Sequence, residues 1–145
     1  MLLSFALILI AMMFLLRPLQ KNAFFLMYFA LMMGAAYVLE LKGFRYAPFS
    51  KQSFLMFLPL HLIFINLMTM AAYGADKRAA KTKAWRVPEI QLHLLELLGG
   101  SPGAFVAQKL FHHKTKKKSF QLSFVFVLAI QLVVVYYVLK VLHVI

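Results

Sequence analysis

The chain has 145 residues, 63% of them hydrophobic, and carries a net charge of +12 from 16 Lys and Arg against 4 Asp and Glu. A water-soluble domain of this length cannot bury so much apolar surface, so lipid must be the solvent for much of it. The lack of cysteine excludes disulfides, thiolate metal sites and cysteine nucleophiles.

Four apolar segments, Leu2–Leu16, Ala23–Leu39, Phe54–Ala75 and Phe120–Leu139, reach or approach the roughly 17–25 helical residues that cross a hydrocarbon core about 30 Å thick. The first is the shortest and needs Met1 or local bilayer thinning to span. It has no charged leader and no small-residue cleavage site, because Arg17-Pro18 follows Leu16, so it reads as a retained span rather than a signal peptide. A tight turn at Arg17–Asn22 joins it to the second segment, and Glu40–Ser53, with Gly43, Pro48 and the aromatics Phe44, Tyr46 and Phe49, leads to the third.

Two clusters of five cations follow. Lys77, Arg78, Lys81, Lys83 and Arg86 form one, and Lys109, Lys114, Lys116, Lys117 and Lys118 the other. Cation-rich loops stay on the cytoplasmic side of a bilayer. With both clusters and the Arg17–Asn22 turn inside, 12 of the 16 Lys and Arg are cytoplasmic, and Lys42, Arg45, Lys51 and Lys140 remain outside. Both termini are then extracytoplasmic. Making Glu89–Phe111 a fifth, kinked crossing instead would strand one cluster outside.

The stretch between the clusters therefore dips in and returns, or lies at the interface. Pro88–Leu98 and Pro102–His112 are each 11 residues, about 16 Å as helix and roughly half the core. Gly99 and Gly100 can end the first half in a left-handed conformation. Ser101 suits an N-cap and Pro102 the first helical position. The expected fold is all-α: four transmembrane helices plus a broken re-entrant or interfacial hairpin between the third and fourth. Residues 1–53 form an N-terminal helical hairpin with its connecting loop, and residues 54–145 a second membrane unit.

The order of short motifs adds to this. Tyr73-Gly74-Ala75-Asp76-Lys77-Arg78, Trp85-Arg86-Val87-Pro88-Glu89, Leu92-His93, Gly99-Gly100, Gly103-Ala104, His113-Lys114-Thr115 and Lys118-Ser119-Phe120 occur in sequence. The chain resembles, over about residues 54–142, the bacterial membrane-protein family catalogued as domain of unknown function 1294. The resemblance implies the architecture of that segment and no particular activity.

Candidate ligand or ion residues are Asp76, Lys77, Arg86, Glu89, His93, Gly100, Gly103, His113, Lys114 and Lys118. Glu89, His93 and Glu96 fall at i, i+4 and i+7, one stripe of a helix. Glu89 and His93 are the candidate pair for a divalent metal or for proton transfer, and Glu96 ranks last because it lies outside the family pattern. No cofactor is otherwise expected, and no catalytic residue is assigned. Asp76 calls for a cation partner, Arg86 or Lys114, since an unpaired carboxylate at a membrane interface is costly. Gly99, Gly103 and Ala107 recur every fourth residue, a pattern for close helix packing. Among the mid-span polar groups, Asn66 and Gln131 can hydrogen-bond across the bundle, and His61 fits a neutral packed histidine.

A half-helix hairpin ending in glycines favours transport or handling of an ion or an anionic, phosphate-bearing lipid at the cytoplasmic side. Four spans make little wall for a pathway, so a homo-oligomer is expected. The other classes open are a noncatalytic adaptor using its basic loops and an interfacial lipid-headgroup enzyme, with Glu89 or Asp76 as base. Anionic membrane lipids are the expected partners. Nucleic acid is not, because the cations sit on no recognisable binding fold.

Overall fold

The computed structural model describes residues 1–82, 87–111, 118–141 and 143, and every regular element among them is helical. In order these are α1 (Leu2–Leu15), a 3₁₀ turn (Arg17–Lys21), α2 (Ala23–Leu41), α3 (Lys51–Thr82), α4 (Glu89–Leu95) widening into a π-helical turn (Glu96–Gly100), α5 (Ser101–Phe111) and α6 (Lys118–Val141). Helices α2 and α3, and Phe120–Val141 within α6, are long and apolar enough to cross a membrane. Helix α1, with 14 residues, rises about 21 Å, less than a hydrocarbon core of about 30 Å.

Local chemistry sets the ends of α2. Asn22 caps its start by accepting the Phe25 N–H at 2.9 Å. At the other end Gly43 takes φ +98°, while its N–H donates to Glu40 O and that of Phe44 to Leu39 O. That is the paired-bond stop that glycine permits after a helix. The Glu40 side chain then accepts the Leu2 N–H at 3.0 Å, satisfying an orphan donor at the start of α1.

The core runs through the whole bundle. Phe5 and Leu9 of α1, Phe25 and Tyr28 of α2, Ile65 and Tyr73 of α3, Leu92 and Leu95 of α4, and Ala104 and Ala107 of α5 are all fully buried. Phe5 meets Phe57 edge-on at 4.9 Å between ring centres, a favoured aromatic geometry.

Contacts along α3 trace the path of α4 and α5. Val87, just before α4, donates its N–H to Asp76 near the C-terminal end of α3. Glu96 pairs with Tyr73, Leu98 with His61 and Gly99 with Asn66. The chain then turns back, Gly103 bonding Asn66 and Gln108 bonding Tyr73. Helices α4 and α5 are thus two arms of a hairpin laid along α3, open toward its C-terminal end, with the tip against its middle. The turn is made at Gly99, whose φ of +116° is costly for any residue with a Cβ.

A helix that ends inside a protein leaves four carbonyls without intrahelical partners, and here side chains from α3 and α6 take all four. Gln131 Nε2 donates to the carbonyls of Glu96 and Leu97. His61 Nε2 donates to Leu98 O at 2.6 Å, and Asn66 Nδ2 to Gly99 O at 3.1 Å. Asn66 also serves the second arm, its Oδ1 accepting the Gly103 N–H at 2.7 Å. This corrects one sequence expectation: Ser101 already has helical angles, φ −59° and ψ −41°. Its hydroxyl points back to Gln131 Oε1 and Glu96 O, and Asn66 supplies the cap from another helix.

The small residues permit this approach. A Cβ on Gly103 would lie 2.6 Å from Asn66 O, and one on Gly100 would overlap Thr69 Oγ1. The expected close packing is therefore between α5 and α3.

Replacing Asn66 by Leu strands both Gly99 O and the Gly103 N–H. At about 1–3 kcal/mol for each buried unsatisfied group, the loss should reach at least about 2 kcal/mol, read as lowered thermal stability of the detergent-solubilised protein.

Candidate functional site

Glu96 opens the π-helical turn and is completely enclosed. Three residues along the same helix, on the same face, His93 sets Nδ1 2.8 Å from Glu96 Oε2. Tyr73, reaching across from α3, donates its hydroxyl to Oε1. One proton lies between His93 Nδ1 and Glu96 Oε2, since each atom can hold it and each can accept it.

The network continues through two amides. Gln108 of α5 donates to the Tyr73 hydroxyl at 3.4 Å, and Gln121 of α6 donates to Gln108 Oε1 at 3.1 Å. Phe120 lies over His93, ring centres 4.5 Å apart, and meets Tyr73 edge-on at 6.0 Å. One carboxylate therefore joins α3, both hairpin arms and α6. The His93 side chain is 14% exposed while that of Glu96 is 0%.

A second polar cluster lies at the hairpin tip. His61 stacks on Phe57 and bridges Tyr28 of α2, 2.5 Å from Nδ1, to Leu98 O. A carbonyl can only accept, so in the neutral ring Nε2 carries the proton and Nδ1 receives that of Tyr28.

The residues singled out from sequence divide by position. Asp76 is fully buried near the end of α3 and accepts the Val87 N–H at 3.1 Å, tying that helix to the start of α4. Lys77 is half-buried beside it, and Glu89 is half-buried in the first turn of α4. Gly100 and Gly103 stand at the far end of the hairpin, packed on Thr69 and Asn66. Arg86, His113, Lys114 and the side chain of Lys118 lie outside the described residues. His93 Nδ1 faces Glu96, and the described residues contain no group of three His, Asp or Glu able to hold a metal ion.

Sequence reasoning placed Glu96 last and did not single out Tyr73, Gln108 or Gln121 as site residues. The His93–Glu96 spacing was a usable signal. The Tyr73 partnership, made across 23 residues of chain, had none.

Fold and site together define a small all-helical protein with membrane-length helices and an enclosed carboxylate. Residues 66–120 match the family described as protein of unknown function (DUF1294). The uncharacterized protein YsdA of Bacillus subtilis (strain 168) is 34% identical over 84 residues, which cover 57% of this chain and 94% of that protein. The chain belongs to the DUF1294 family. No solved structure matches it. Tyr73, His93, Glu96, Gln108 and Phe120 all fall within the matched residues, whereas Tyr28 and His61 lie before them.

If the Tyr73–Glu96 contact organises the site, Tyr73→Phe and Glu96→Gln should be strongly non-additive. A double-mutant cycle on thermal stability in detergent should return a coupling of about 0.5–3 kcal/mol, and additive losses would show that the two side chains act independently.

Proposed function

We propose that this is a four-span protein of the bacterial inner membrane whose hairpin, residues 89–111, enters and leaves from the cytoplasmic side. In this reading it moves or handles an ion or an anionic, phosphate-bearing lipid by loading and unloading a proton at Glu96. The enclosure of Glu96 carries the reading. A carboxylate within a lipid-embedded bundle is expensive, and such groups by default mark ion or proton paths.

Several contacts support the placement. Gln91 at the start of α4 bonds both Asn22 and Pro18 O, bringing the Arg17–Asn22 turn beside the base of the hairpin. The links from Gln108 to Tyr73 and Gln121 bring the end of α5 and the start of α6 to the same end of α3. The basic turn and the flanks of both cation clusters then share one face, as the loop-charge bias favours, and both termini lie on the other. The tip meets His61, Asn66 and Gln131, near the middle of their helices. Irregular backbone at that depth survives only where protein satisfies it.

In the mechanism this favours, partly exposed His93 exchanges protons with the cytoplasm and passes them to Glu96 Oε2, while Tyr73 holds Oε1. A change in the charge of Glu96 alters its bond to Tyr73 on α3 and so the grip between the hairpin and that helix. The basic face attracts the anionic cargo or lipid partner, and a homo-oligomer supplies the remaining wall.

Because the chain contains no cysteine, single substitutions report topology directly. With an impermeant thiol reagent, Lys81→Cys and Lys109→Cys should label from the cytoplasmic side and Lys42→Cys from outside. Labelling of residues 81 and 109 from opposite faces would overturn the re-entrant path.

In liposomes of phosphatidylethanolamine and phosphatidylglycerol, the full chain should dissipate an imposed pH gradient, read by an entrapped pH-sensitive dye. Glu96→Gln should abolish this, and His93→Ala should slow it. Wild-type protein that moves no proton, ion or lipid under any imposed gradient would overturn the transport reading.

A further inference from the structure

Beyond Gln131, α6 leaves the bundle: Leu132 to Val138 are exposed on every side of the helix. The divergence opens a groove of about 700 Å³ between the first half of α3, the hairpin tip and α6. Leu62, Leu98, Pro102, Phe105, Leu128 and Val135 contribute to its lining, which is almost wholly apolar. Its α6 wall extends from Phe124 to Val135, about 16 Å of helix and roughly half a hydrocarbon core. That length accommodates one acyl chain lying across the level of the hairpin tip.

Among the described residues, one charge stands near the Phe105 end of this groove, the end toward the hairpin base. Lys109, in the last turn of α5, holds its ammonium 5.6 Å from the centre of the Phe105 ring, and Phe105 lines the groove. The Lys109 backbone lies one turn, about 6 Å, from that of Phe105 toward the hairpin base. An ammonium beside one end of an apolar slot matches a phosphate followed by a hydrocarbon tail.

We infer that this groove is the binding site for one anionic phospholipid of the inner leaflet, its phosphate at Lys109 and one acyl chain running over Phe105 and past the hairpin tip. The inference rests on the membrane placement proposed above and not on proton transfer at Glu96. It names the lipid class that the site selects: a single net-negative phosphodiester headgroup, with zwitterionic lipids of equal chain length bound less well. Ser101 and Gln131 also border the groove but bond each other and so leave it to the hydrocarbon.

The test is native mass spectrometry of the full chain in detergent with equal amounts of dioleoyl phosphatidylglycerol and dioleoyl phosphatidylcholine. One phosphatidylglycerol should remain bound, favoured about fivefold, the selectivity that one lysine near a lipid phosphate supplies. Lys109→Glu should bring the two lipids near parity. Leu132→Trp, at a position 69% exposed and lining the groove, should fill the slot without touching the core and reduce retention of both. Equal retention by the wild type, selectivity unchanged in Lys109→Glu, or retention unchanged in Leu132→Trp would each overturn the inference. So would a lipid-free dimer, which would give the groove to a second copy. Proton flux in the same preparations separates the two readings: selective retention without flux removes the transport reading alone, and flux without selective retention removes the groove alone.

Discussion

Four backbone carbonyls at the hairpin tip govern this structure. Those of Glu96, Leu97, Leu98 and Gly99 stand where the chain reverses at Gly99, and each finds a donor on Gln131, His61 or Asn66. An unsatisfied carbonyl in an apolar interior costs far more than a typical hydrogen bond contributes. The hairpin can therefore turn only where α3 and α6 present those side chains. The heights of both arms follow from this, and so does the position of Glu96 opposite Tyr73.

The same constraint explains why so apolar a chain keeps polar residues in the middle of its long helices. His61, Asn66 and Gln131 would be a liability on helices that met only lipid. Each is taken up by the hairpin tip, and His61 extends the link to Tyr28 on α2. The first two helices are thereby joined to the family-matched segment through an imidazole as well as through the apolar core.

Much of the architecture was legible in the sequence because it rests on local signals: apolar runs of membrane length, glycine pairs, prolines at helix starts. The break at Gly99 was visible for the same reason, since few other residues accept φ near +116°. The site was less legible. Spacing put Glu89, His93 and Glu96 on one stripe, but a stripe does not reveal which member faces a neighbouring helix. The deciding partner, Tyr73, belongs to a different helix. Ser101 likewise looked like a cap from its position before Pro102, yet Asn66, far away in the chain, takes that role. Interactions between helices distant in sequence leave no spacing to read.

Asn66 holds both sides of the break with one side chain, its amide nitrogen on Gly99 and its oxygen on Gly103. Neither arm can slide along α3, nor can α3 rotate beneath them, without breaking both bonds together. At this point the register between α3 and the hairpin is therefore set by a single side chain. The outer half of α6, exposed from Leu132 to Val138, has no such clamp among the described residues and is the part left free to move against them.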